Sequence, residues 1–135
     1  MISVDVALRA DAFDLEVAFQ NEAGITCLFG RSGAGKTMTI KLIAGLTRPD
    51  RGQIVLDGRV LVDVETRVFV PPHRRRVGLV FQDARLFPHL SVKQNLVYGR
   101  RFANGADRRV GFDQAVETLG LGHLSRAKTC APFRW

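Results

Sequence analysis

The stretch Gly30-Arg31-Ser32-Gly33-Ala34-Gly35-Lys36-Thr37 constrains this chain more than any other. It reads G-x-x-x-x-G-K-T, the pattern of a loop that cradles phosphate groups. Ile25-Thr26-Cys27-Leu28-Phe29 before it is short, apolar and partly β-branched, which predicts a buried strand. Met38-Thr39-Ile40-Lys41-Leu42-Ile43-Ala44 after it predicts a helix, with Gly45 as the stop. Glycines let the backbone curl so that successive N–H groups point at an anion. The helix N-terminus adds partial positive charge. Lys36 supplies a mobile cation for the β- and γ-phosphates, and the Thr37 hydroxyl can sit on Mg²⁺. The expected nucleotide contacts are Gly30, Arg31, Ser32, Gly33, Ala34, Gly35, Lys36 and Thr37, with Met38 in the first helical turn.

At 135 residues and 46% apolar, the chain is long enough for one domain with its own core. No apolar run approaches the ~18 residues that span a bilayer. The start, Met1-Ile2-Ser3-Val4-Asp5, lacks a signal-peptide pattern, so a cytoplasmic protein is expected. Cys27 and Cys130 form neither a disulfide framework nor a metal-ligand spacing, and Cys27 reads as a small buried hydrophobe. The net charge of +7 gathers in Arg74-Arg75-Arg76, Arg100-Arg101 and Arg108-Arg109. No interleaved aromatics accompany them, so these arginines read as solvated and no nucleic acid is expected as a partner.

Residues 2–9 and 13–19 alternate apolar with polar, and Ala10-Asp11-Ala12 between them predicts an antiparallel pair. Asp57-Gly58 between Gln53-Ile54-Val55-Leu56 and Arg59-Val60-Leu61-Val62 predicts a hairpin. Residues 63–75 read as a loop, and Val77-Gly78-Leu79-Val80-Phe81 as a second buried strand ending at Gln82-Asp83. Ser91 can cap a helix running through Asn95, Leu96 and Tyr98. Phe112, Ala115, Val116 and Leu119 predict another helix that stops near Gly120.

Several stretches together resemble the ATP-binding-cassette (ABC) transporter ATPases. They are residues 28–37, Ala44-Gly45-Leu46-Thr47-Arg48-Pro49, Gly52-Gln53-Ile54 and the long string from Arg75 through Phe81-Gln82-Asp83 to Leu90. Phe81-Gln82-Asp83-Ala84-Arg85-Leu86-Phe87-Pro88-His89 and Asn95-Leu96-Val97-Tyr98-Gly99 are most similar to the molybdate-importing branch. The resemblance covers residues 1–124. It implies an α/β fold of the P-loop NTPase class, represented by its N-terminal half. That half comprises an antiparallel β subdomain, an incomplete parallel core sheet and the start of the helical subdomain. It further implies ATP and Mg²⁺ as ligands, with Gln82 as the Q-loop glutamine that reaches Mg²⁺ and the attacking water. The segment from Leu86 to Tyr98 would touch a transmembrane permease subunit. A homodimer and, indirectly, a periplasmic binding protein are the other implied partners, on the cytoplasmic face of the inner membrane. Phe13 is the nearby aromatic that could stack on adenine, although its place in an alternating strand favours a core role over that one.

The family's L-S-G-G-x signature, its apolar strand ending in Asp-Glu and its switch histidine have no counterpart here. His73, His89 and His123 stand outside the switch context and read as surface or loop residues. Residues 125–135 lack periodicity and are expected to be a tail read out of frame, after a frameshift or premature stop. A chain of this kind is expected to bind ATP without hydrolysing it, and to be marginally stable because core strands lack neighbours. The alternatives are an inert fragment or a different phosphate-loop enzyme.

Overall fold

The computed structural model describes residues 1–10, 13–83, 85–99, 102 and 111–124. The chain forms two compact units, Met1–Val80 and Phe81–Trp135. In the first, strands β1 (Ile2–Ala10), β2 (Phe13–Asn21), β3 (Arg51–Leu56), β4 (Arg59–Asp63) and β5 (Val68–Phe69) make one sheet in the order β2-β1-β3-β4-β5. Every pair is antiparallel, with Val4 opposite both Phe19 and Ile54.

The period of two in β1 puts Val4 and Val6 on one face, where both are buried with Leu15, Ile54, Leu61 and Val62. The ladder between β3 and β4 shifts register at Ile54/Val55, and this bulge lets the consecutive Leu61 and Val62 both go inside. Helix α1 (Lys36–Ala44) covers the cluster and adds Leu42 to it. Burying each such side chain stabilises the fold by roughly 1.5–3 kcal/mol. The turn between β3 and β4 is Asp57-Gly58, both left-handed at φ 50° and 74°, as a tight two-residue hairpin requires.

Two segments depart from the sequence reading. Residues 25–29 and 77–80 are extended but belong to no strand, and the described residues contain no parallel pair. Ile25 is 91% exposed, Phe29 fully so and Val80 95%. Cys27, expected in the interior, is exposed with them. A parallel strand is held by neighbours on its edges and cover on its faces, and no described strand supplies either here. The stretch 63–75, read as a loop, contains β5 and a 3-10 turn at Pro72–Arg74.

The second unit contains helix α2 (Val92–Tyr98), helix α3 (Phe112–Thr118) and a 3-10 turn at Gly122–Leu124. Ser91 caps α2 as expected and completes a capping box with Gln94. Helix α3 ends at Gly120, which is left-handed at φ 64°. Residues 125–135, read as the tail, lie outside those described, as do Arg100, Arg101, Arg108, Arg109 and Cys130. No helix among the described residues is long and apolar enough to cross a membrane.

Candidate phosphate-binding site

The loop 30–37 leads directly into α1. Gly35 is the N-cap at φ 84°, ψ 2°, so it turns the chain into the helix in a conformation that a side chain would strain. A Cβ there would lie 2.6 Å from Leu15 Cδ1 and 2.8 Å from Phe13 Cζ. The loop therefore rests on β2, and Phe13 packs against the core and beneath Gly35. No side chain caps α1, and no acidic residue stands in its first turn. Thr39 N–H is bonded to Gly35 O at 2.8 Å, and the buried Thr39 hydroxyl donates to the same carbonyl at 3.1 Å. The amides of Lys36, Thr37 and Met38 precede that helical bond and form the positive end of the dipole.

Lys36 Nζ donates to Gly30 O and Arg31 O, both at 2.7 Å. An ammonium carries three donors, so the arrangement holds the cation over the loop and leaves a further N–H for an anion. Ala34 N–H donates to Arg31 O at 3.2 Å and tightens the same turn. Thr37 is exposed, whereas the Met38 side chain packs against the core and can offer only its backbone N–H. The donor set fits a polyphosphate: backbone amides, an uncapped helix terminus and a lysine, with no competing carboxylate. For Mg²⁺ the fit is partial. Thr37 supplies one oxygen, and no cluster of three His, Cys, Asp or Glu stands ready to hold a metal among the described residues. A cation at Thr37 would take its other oxygens from phosphate and water.

The trailing end of α1 is built with equal care. Gly45 follows at φ 78°, with Gly45 N–H donating to Leu42 O at 3.1 Å and Leu46 N–H to Lys41 O at 2.9 Å. The Arg75 guanidinium, only 2% exposed, donates from Nη1 to Leu42 O at 2.9 Å and to Ile43 O at 2.8 Å. Its Nε donates to Val70 O at 2.7 Å. Burial pushes its pKa below the ordinary arginine value. Sequence reasoning placed Arg75 in a solvated run of three arginines and at the start of the family-like string; nothing in that run distinguishes it from Arg74 or Arg76, which are exposed.

The family model described as ABC transporter matches residues 15–131, most of the chain. The chain belongs to the ABC transporter family. Among curated relatives, it is 54% identical over 123 residues to the molybdenum import ATP-binding protein ModC of Rhizobium meliloti, covering 91% of this chain and 34% of that protein. It is 56% identical over 121 residues to the protein of that name from Rhizobium johnstonii, covering 90% and 34%. For the one from Rhodospirillum rubrum the identity is 50% over 124 residues, covering 92% and 34%. The chain thus spans about a third of the length of these relatives.

The remaining residues of interest in this ABC family chain lie mostly in the second unit. Gln82 is exposed in a bend at residues 82–83. Beyond it, the Asn95 side chain ties down the turn before α2. Its Oδ1 accepts from Phe87 N–H at 2.8 Å, and its Nδ2 donates to Phe87 O and Ser91 O, each at 3.1 Å. The turn carries Leu86 and Phe87 outward, and Phe87 stacks on Tyr98 at 4.4 Å between ring centres. Sequence reasoning placed Asn95 in a capped helix and in a string shared with the molybdate-importing branch; a half-buried amide facing a turn leaves no periodic signal. His73, His89 and His123 are all exposed.

Proposed function

We propose that the chain is the ATP-binding portion of an ABC importer ATPase, with molybdate as the transported ion. The observation that carries the ATP part is the uncapped leading end of α1, with Lys36 folded over the loop carbonyls and no acidic residue in the first turn. The molybdate part rests on the relatives, whose names describe molybdenum import.

In this reading residues 30–38 hold the phosphates, while Thr37 and Gln82 hold Mg²⁺. The metal, when bound, would neutralise charge shared by the β- and γ-phosphates. Residues 86–98 would meet a membrane permease at the cytoplasmic face of the inner membrane. A second copy of the chain is the other direct partner, a periplasmic binding protein an indirect one, and nucleic acid is not a partner. In this reading the chain binds ATP without turning it over. Residues 1–124 form the nucleotide-binding part and residues 125–135 a separate tail.

The test is a thermal unfolding series with Mg-ATP, alongside a phosphate-release assay. At about 100 times its dissociation constant ATP adds ~2.7 kcal/mol to stability, and Lys36→Ala removes that gain. An unmoved melting curve at saturating nucleotide would refute binding, and steady phosphate release would refute the lack of turnover. A second reading, an inert chain, is favoured by the full exposure of residues such as Phe29 just before the loop. The same unfolding series decides between them.

A further inference from the structure

Arg75 is an unusual burial. Among the described residues the ion pairs are Met1 amine with Asp57 and Arg9 with Asp14, so no carboxylate meets this guanidinium. Its charge is carried by three backbone carbonyls and by the Phe69 ring, whose centre lies 4.9 Å from Cζ. Arg48 also lies over this ring, 4.2 Å from its centre. Nη2 has no hydrogen-bond partner. It lies against Gly45, where a Cβ would come within 2.9 Å of Nη2 and 2.6 Å of Cζ. Burying an unpaired cation is costly, and an apolar side chain of similar length would fill the space without that cost. Two of the carbonyls Arg75 serves, those of Leu42 and Ile43, lie in the last turn of α1, where a cation also complements the dipole.

Resting on the nucleotide-binding reading above, we propose that Arg75 is a positioning residue that sets the aim of the phosphate loop by pinning the far end of α1. The helix has nine residues, about 14 Å at ~1.5 Å each, and would be marginal by itself. Besides the packing of Leu42 and Met38 on the sheet, each of its ends is fixed. Gly35 seats its leading end on Phe13 and Leu15, and Arg75 ties its trailing end to Val70, just after β5. Removing the second mount lets the helix pivot on the first, so the amides at 36–38 and Lys36 swing while the sheet stays in place. Arg75 touches no phosphate. It acts through the rigidity of α1.

The test compares Arg75→Met and Arg75→Lys with core variants of matched melting temperature, chosen from Ile54→Val and Val62→Ala, all well below their unfolding transitions. Two quantities are read on the full chain: ATP affinity, and hydrogen exchange at residues 31–39 relative to β1 and β3. Arg75→Met is expected to weaken ATP about tenfold and to speed exchange at 31–39 by a similar factor, with β1 and β3 unchanged. Arg75→Lys should fall between, since an ammonium cannot span all three carbonyls. The core variants should move neither quantity. If they and the Arg75 variants alter affinity and loop exchange equally, or none does, the positioning role is overturned. Should Arg75→Met not fold, Gly45→Ala, which crowds the guanidinium, carries the same expectation and the same refutation. A wild-type chain that binds no ATP would sink the nucleotide reading alone, because loop exchange still decides the role of Arg75.

Discussion

The five-stranded sheet and the extended segments 25–29 and 77–80 are both apolar in sequence, yet one is buried and the other stands in solvent. The difference lies in where their partners are found along the chain. β1 pairs with β2 across residues 11–12, and β3 with β4 across a two-residue turn. Such alternating strands need cover on one face only, and α1 provides it. Residues 25–29 and 77–80 are largely apolar runs of the kind that need neighbours on both edges and both faces. No described strand offers them. The phosphate loop sits at this divide, held by a helix from the satisfied side and fed by a segment from the other. The loop at residues 30–37 thus runs into a packed helix on one side and follows an exposed segment on the other.

That contrast can be broken or sharpened in order of expected effect. Leu42→Ala removes a fully buried contact between α1 and the sheet, and should cost ~2–5 kcal/mol in urea unfolding. Gly35→Ala drives a methyl into Phe13 and Leu15 at a left-handed position, with an expected loss of ~1–3 kcal/mol and a parallel loss of nucleotide affinity. Asn95→Ala frees the turn at 87–91 from its side-chain bonds. It should raise protease cleavage there at a stability cost of ~1 kcal/mol. Phe29→Ser, by contrast, should change stability by no more than ~0.5 kcal/mol. A loss as large as that of Leu42→Ala would mean residues 25–29 are packed after all.

The smallest expected effect concerns pH. The Asp63 carboxylate is held below its ordinary value of 3.8, first by the Thr66 backbone N–H, then by the Thr66 hydroxyl, with Gln53 and the Glu65 N–H assisting. Because the folded-state pKa is the lower one, the contribution is present above 3.8 and fades as pH falls through the depressed value. Asp63→Asn should flatten that acid limb of the unfolding curve, being slightly less stable than the parent chain at neutral pH and converging with it below the depressed value.

Much of the fold was readable because its signals are local. Asp57-Gly58 announces its hairpin, Gly45 and Gly120 close their helices, and Ser91 opens α2, each through backbone geometry that few residues can adopt. The phosphate loop was readable for the same reason. What escaped was non-local. Residues 25–29 have the composition of a buried strand, and composition says nothing about whether a neighbour is present. Arg75 looks like Arg74 and Arg76 until the fold brings Leu42 and Ile43 to it. Asn95 is one polar position in a helix until the turn at Phe87 folds back onto its amide. Cys27 was misjudged, its side chain turning away from the core rather than into it.

Cys27 gives this arrangement a chemical reporter. Its thiol is exposed in the middle of the unpaired segment, so the rate at which it is alkylated tracks whether that segment is covered. With Cys130 changed to serine, a single site would be read. Any chain that lays a strand along residues 25–29 would slow the labelling, and the degree of protection would measure how completely the approach to the phosphate loop had been closed.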